Sequence, residues 1–106
     1  MIHINVFQND RLYDIDFTLK DANDVVVDLT GSTLIFRAQK QGASVQKFAG
    51  NMSIVEAASG TCKYNVAATD FDEAGDYYAE IQVTFGGGKI ITFGDIVVHV
   101  KPELPR

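Results

Sequence analysis

The sequence predicts an all-β protein, built as two antiparallel sheets packed face to face in about seven to nine strands. Three observations predict it. Almost every segment alternates apolar and polar residues with period two, no stretch keeps an apolar stripe at helical spacing for three turns, and turn residues recur roughly every 8 to 12 positions. A small closed barrel has the same periodicity and differs only in how its edge strands pair, so the pattern leaves that shape as the competitor.

The first strand is expected over Ile2 to Phe7, ending in a polar corner at Gln8 to Arg11. In "LYDIDFTL" the residues Ile15, Phe17 and Leu19 share one face and Asp14, Asp16 and Thr18 the other, which predicts one wet face. The Asp and Asn of "KDAND" suit a tight turn, and Val25, Val27 and Leu29 then point one way, so a hairpin is expected there before "TGS" closes it. "TLIFRAQK" hides Leu34, Phe36 and Ala38, and "QGAS" allows a reversal into a strand over Val45 to Phe48.

The pattern restarts with Met52 and Ile54, turns at "ASG", and places Cys62, Tyr64 and Val66 on one face. The longest strand follows, with Tyr77, Ala79, Ile81, Val83 and Phe85 inward and Tyr78, Glu80, Gln82 and Thr84 outward. "GGGK" is the hairpin tip. The closing strand "IITFGDIVVHV" is interrupted at Gly94, where a bulge or bend is expected. The sandwich is thus assigned to residues 1–101. Residues 102–106 form an exit or linker stub, because two prolines in "KPELPR" cannot donate ladder hydrogen bonds.

A length of 106 residues fits a single domain, and 46% hydrophobic against 22% charged residues is the balance of a chain that folds rather than stays disordered. The apolar runs "DVVVDL" and "DIVVHV" are far short of the roughly 20 residues that cross a bilayer, so no membrane insertion is expected. The start "MIHINVFQND" lacks the basic and apolar parts of a secretion signal, and Met1 reads as a true start. A net charge of −5 without clustered Lys or Arg repels phosphate backbones, which argues against nucleic acid. Cys62 stands alone, so no internal disulfide forms, and apolar packing holds the fold.

"DEAGDYYAE" at 72–80 has the order of an immunoglobulin-type corner: an acidic, glycine-containing turn, then a tyrosine at the start of a late strand whose hydroxyl reaches back to the upstream backbone. Tyr77 and Gly75 are the expected structural corner, and Ala79 stands at the inward position a cysteine would take. The fold class is therefore an immunoglobulin-like antiparallel β-sandwich. A plain polar turn before a core aromatic is the simpler alternative. Tyr78 faces outward and, with Tyr13 and Ile35, makes a candidate contact surface; Ile35, Val26 and Val97 are apolar candidates on edge strands, with the sheet interior as the alternative placement.

Candidate chemistry is weak by comparison. His3 and His99 lie on the first and last strands and would need a third ligand to hold zinc, so no metal is expected. Asp70, Asp72 and Asp76 cluster, but Ala74 stands where a calcium loop needs oxygen, and the carboxylates are better read as hydrating the turn. Asp14 and Asp16 share a solvated face without the apolar cleft that would split their pKa values. The glycines of "FGGGK" do not match a phosphate loop. Cys62 is expected to be buried and inert. No catalytic residue and no cofactor are expected.

The ordered series "DIDFTLKDANDVVVDLTGSTLIFRAQ", "SGTCKYNVAATDFDEAGDYYAEIQVTF" and "GGKIITFGDIVVHV" resembles the amino-terminal domain of phage baseplate upper proteins. The resemblance covers most of the chain. It implies a virion structural role at a phage or prophage tail tip or baseplate, with other tail and baseplate proteins as partners. The sequence leaves self-association open, and the lack of a signal peptide at Met1 gives the expectation of synthesis in the bacterial cytoplasm. In that family the domain usually precedes coiled-coil or receptor-binding segments, whereas this chain stops after "KPELPR". The second functional reading is a module that binds a host cell-surface carbohydrate or protein through Tyr13, Tyr78 and the glycine tip.

Overall fold

The computed structural model describes residues 2–102. The alternation read from the sequence becomes eight strands: β1 (Ile2–Phe7), β2 (Asp14–Thr18), β3 (Thr33–Lys40), β4 (Phe48–Asn51), β5 (Ser53–Glu56), β6 (Thr61–Asn65), β7 (Gly75–Thr84) and β8 (Ile90–Lys101). A single 3₁₀ turn at Ala57–Ser59 joins β5 to β6. It ends at Gly60 with φ of +69°, where a Cβ would come within 2.8 Å of the Leu19 carbonyl oxygen, so only glycine fits without strain.

The strands form two sheets, in the order β1-β8-β7-β3-β4 and β2-β6-β5, and not a closed barrel. With β8, β7, β3 and β4 in the places of strands G, F, C and C′, and β2, β6 and β5 in those of B, E and D, this is the immunoglobulin arrangement. Inward residues of both sheets make one core that includes Phe17, Leu34, Phe36, Cys62, Tyr64, Tyr77, Ile81 and Val83. Phe36 lies at its centre, with ring centroids 5.7 Å from Phe17 across the sandwich and 4.9 Å from Tyr64. Phe48 and Phe71 continue the aromatic packing to Tyr77 at the corner. Each fully buried large side chain of this kind contributes about 1.5–3 kcal/mol.

Of the bulge or bend expected at Gly94, the structure has the bulge. Ile81 pairs with Phe93 and Ala79 with Ile96, so Gly94 and Asp95 together oppose Glu80, and Asp95 takes a left-handed φ of 60°. The extra residue resets the face of β8, so that Ile96, Val98 and Val100 continue the inward row.

Several expectations need correction. The sandwich is not wholly antiparallel, because β1 pairs with β8 in parallel register, Ile2 with Ile96 through Phe7 with Lys101. The hairpin after "KDAND" shrinks to one bridge, Lys20 with Val26. The Asp21 carboxylate there accepts from the Asn23 and Val25 N–H groups, Asp28 accepts from Thr30, and these local bonds replace a ladder. The strand expected over Val45 to Phe48 begins only at Phe48, since Val45 is 73% exposed and Phe48 is the first residue that reaches the core. Of the exit stub at 102–106, Pro102 is exposed and unpaired, and the rest lies outside the described residues.

Candidate interaction surface

The acidic turn before β7 brings Tyr77 to the corner. Its ring is fully buried, and its hydroxyl donates to the Glu73 carbonyl oxygen at 2.8 Å. Burial, followed by the neighbouring Glu73 charge, pushes the phenol pKa up, so the hydroxyl stays a donor. Gly75 opens β7 with φ of +138°, a conformation that L side chains rarely adopt.

Beside the corner lies a buried polar pair that the sequence did not reveal. Asp70, read as one of a hydrated cluster, is only 6% exposed. Its Oδ2 accepts from the Tyr64 hydroxyl and, at 2.9 Å, from the Ala67 N–H. A carboxylate can be buried when its acceptors are filled in this way. Burial first, then the Asp70 hydrogen bond, raises the Tyr64 pKa. Asp72 and Asp76 stay nearer the surface, with Lys47 Nζ 2.7 Å from Asp72 and His99 Nδ1 2.8 Å from Asp76.

The candidate contact residues separate. Tyr78 projects from β7 on the outer face of the five-stranded sheet, 54% exposed. There it borders a shallow groove of about 320 Å³ with Arg37, Gln39, Gln46 and Glu80, in which Arg37 Nε has no hydrogen-bond partner. Ile35 is on the same sheet but half-buried in β3, between β4 and β7, and is not at an edge. Val97 is likewise not an edge residue: it is 7% exposed in β8 between β1 and β7. Tyr13 packs against the core, and its buried hydroxyl has no partner. Burial, aided by Asp10 and Asp70, takes its pKa to about 12. Val26 remains exposed.

Edge position depends on which strands neighbour each other, which alternation does not encode, so of the edge and sheet-interior placements open to Ile35 and Val97 the structure takes the interior. The sheet ends observed are β1, β4, β2 and β5. Strands β4 and β5 are four residues each, β5 is bulged between Ile54 and Glu56, and β2 displays Asp14 and Asp16. All three are guarded against adding a strand. Strand β1 is different: over "IHINVF" it has no Lys, no Pro and no bulge, and Ile2 and Phe7 are about half exposed at its ends.

His3 and His99 do come together. His3 Nδ1 lies 3.0 Å from His99 Nε2, and His99 Nδ1 lies 2.8 Å from Asp76 Oδ1. Among the described residues no three His, Cys, Asp or Glu side chains converge as a ready ligand group. Asp14 is exposed, its pKa lowered by the Asn65 side chain first and Lys63 next. Cys62 is fully buried, and burial pushes its thiol up to about 11.

Comparison with known proteins gives one match by family. The model described as BppU N-terminal domain matches residues 2–105. No curated protein matches the chain. Among solved structures, CopC from Methylosinus trichosporium OB3b is similar at a TM-score of 0.58 with 9% identity, covering 100% of this chain and 90% of that one, a likeness of fold. Murine CRIg aligns with a TM-score of 0.41 and 11% identity over 96% of this chain and 92% of that one.

Proposed function

The chain belongs to the BppU N-terminal domain family, a phage baseplate-related structural domain, and from that premise we propose that it is a non-enzymatic assembly module of a phage or prophage tail. It works through protein–protein contacts with other baseplate proteins in the virion. The observation that carries the site is the unguarded edge of β1, where a strand of a partner protein adds to the five-stranded sheet by main-chain hydrogen bonds. Ile2 and Phe7 flank that edge with apolar surface.

The test mixes the purified chain with the baseplate proteins encoded beside it and measures complex mass by size exclusion with light scattering. Ile2→Lys combined with Phe7→Lys places like charges on the edge and is expected to abolish the complex while circular dichroism shows the sandwich still folded. A complex of unchanged mass and affinity would remove β1 as the contact.

The groove beside Tyr78 favours a second reading, binding of a cell-surface saccharide, since an exposed aromatic ring beside Arg37, Gln39 and Glu80 offers a stacking face and polar groups together. Titration with host cell-wall polysaccharide that quenches tyrosine fluorescence, and fails to do so in Tyr78→Ala, would support it. Silence in the unaltered protein would leave assembly as the function.

A further inference from the structure

Strands β7, β8 and β1 place Asp76, His99 and His3 in a line across the outer face of the larger sheet. Asp76 pairs with His99 across β7 and β8, and His3 lies diagonal to His99 across the parallel pair, opposite Val97. With neutral rings, His99 Nδ1–H donates to the Asp76 carboxylate, so His99 Nε2 presents its lone pair to His3 Nδ1–H. The ring centroids are 5.3 Å apart and the planes differ by 4°, so with 3.0 Å between the nitrogens the rings meet nitrogen to nitrogen and not face to face.

We propose that His3 and His99 are the two protein ligands of a site for an imidazole-preferring divalent ion, Zn²⁺, Ni²⁺ or Cu²⁺, with Asp76 as the positioning residue behind His99. Three features carry this. First, a carboxylate on the far nitrogen of a histidine fixes the tautomer and orientation that a ligating imidazole needs. Second, the two rings already meet, and two imidazoles on one tetrahedral ion with bonds of about 2.0–2.1 Å have their nitrogens about 3.3 Å apart, so the ion replaces the shared proton once one ring turns off the nitrogen-to-nitrogen line. Third, His3 is exposed and can swing to turn its own lone pair onto the ion, while His99 stays held by Asp76 with its Nε2 lone pair already directed outward. On binding, His3 moves its proton from Nδ1 to Nε2 through solvent and stays neutral, so no net proton is lost. Water fills the remaining positions, and hard oxygen-seeking ions such as Mg²⁺ and Ca²⁺ have no ligand set here.

The inference is independent of the baseplate reading. Its test is calorimetric titration of the full chain with Zn²⁺ and with Cu²⁺, beside Mg²⁺ as control, together with thermal unfolding in each. The expected result is one ion per chain, Cu²⁺ tighter than Zn²⁺, no heat with Mg²⁺, and a raised melting temperature, because the ion binds the native pairing of β1 with β8 and not the unfolded chain. His3→Gln, at an exposed position, and His99→Gln, at a half-buried one, should each weaken Zn²⁺ binding more than about tenfold and abolish the thermal shift. Asp76→Asn should weaken it by about tenfold or more while leaving the stoichiometry intact. No Zn²⁺ or Cu²⁺ binding to the unaltered chain, or binding equally tight in His3→Gln, would overturn the proposal.

Discussion

Replacing Tyr77 by phenylalanine tests the corner directly, because it deletes one hydroxyl and keeps the ring. That ring is fully buried and meets Phe71 edge-on at 5.5 Å, so its packing survives the change. What is lost is the hydrogen bond to the Glu73 carbonyl at 2.8 Å, a contribution of about 0.5–1.5 kcal/mol. Glu73 is itself exposed, so water can reach its backbone and the lower half of that range is expected. Unfolding entropy of about 2.1 cal/mol/K per residue makes 1 kcal/mol worth about 4–5 °C for a chain of this length. Tyr77→Phe should therefore lower the melting temperature by about 2–5 °C. Tyr77→Ala also removes the ring and should cost about 3–5 kcal/mol. Differential scanning calorimetry and urea unfolding measure both. A Phe variant that melts with the unaltered protein would remove the hydroxyl from the corner, and one as damaged as the Ala variant would show that the ring does not pack as described.

Tyr64→Phe strips one of the two donors from the buried Asp70 carboxylate and should cost about 1.5–3 kcal/mol. With Asp70→Ala as the second arm, urea unfolding of the double variant should show a coupling of at least about 0.5 kcal/mol, and strict additivity would mean that the two groups do not interact. Gly60→Ala forces a Cβ against the Leu19 and Val27 carbonyl oxygens at a left-handed φ, so a loss well above 1 kcal/mol is expected, read as a drop in urea midpoint. The Cys62 thiol is raised from 9.0 to about 11 on folding, so its contribution is complete below pH 9 and is lost as pH climbs from 9 to about 11. That is about 2–3 kcal/mol at most. Urea midpoints across that window should fall less steeply in Cys62→Ala, and equal slopes would contradict the assignment.

Much of this molecule was legible because burial in a sheet follows a local rule. Leu34, Phe36 and Ala38, or Cys62, Tyr64 and Val66, are inward because every second residue of an extended chain points the same way, and those positions are apolar. Tyr77 could be placed for the same reason, with the turn before it supplying the order of residues a corner needs. Asp70 was not legible: an aspartate in an acidic turn reads as solvated, and only the approach of Tyr64 and the Ala67 N–H turns it inward. Ile35 and Val97 could not be told from edge residues for a related reason, since the strands that cover them, β4, β7 and β1, come from distant parts of the chain.

By itself, the sequence determined the period-two hiding of side chains, the tyrosine turn, the irregularity at Gly94, and hence an all-β fold, whereas the choice of two open sheets over a closed barrel came from how the edge strands pair. Tertiary structure alone decided that β1 runs parallel to β8, that β1 is the unguarded edge, and that Asp76, His99 and His3 stand in line. Alternation is set within a few residues by backbone geometry, whereas the neighbours of a strand are set by which arrangement of all eight buries both inner faces at once.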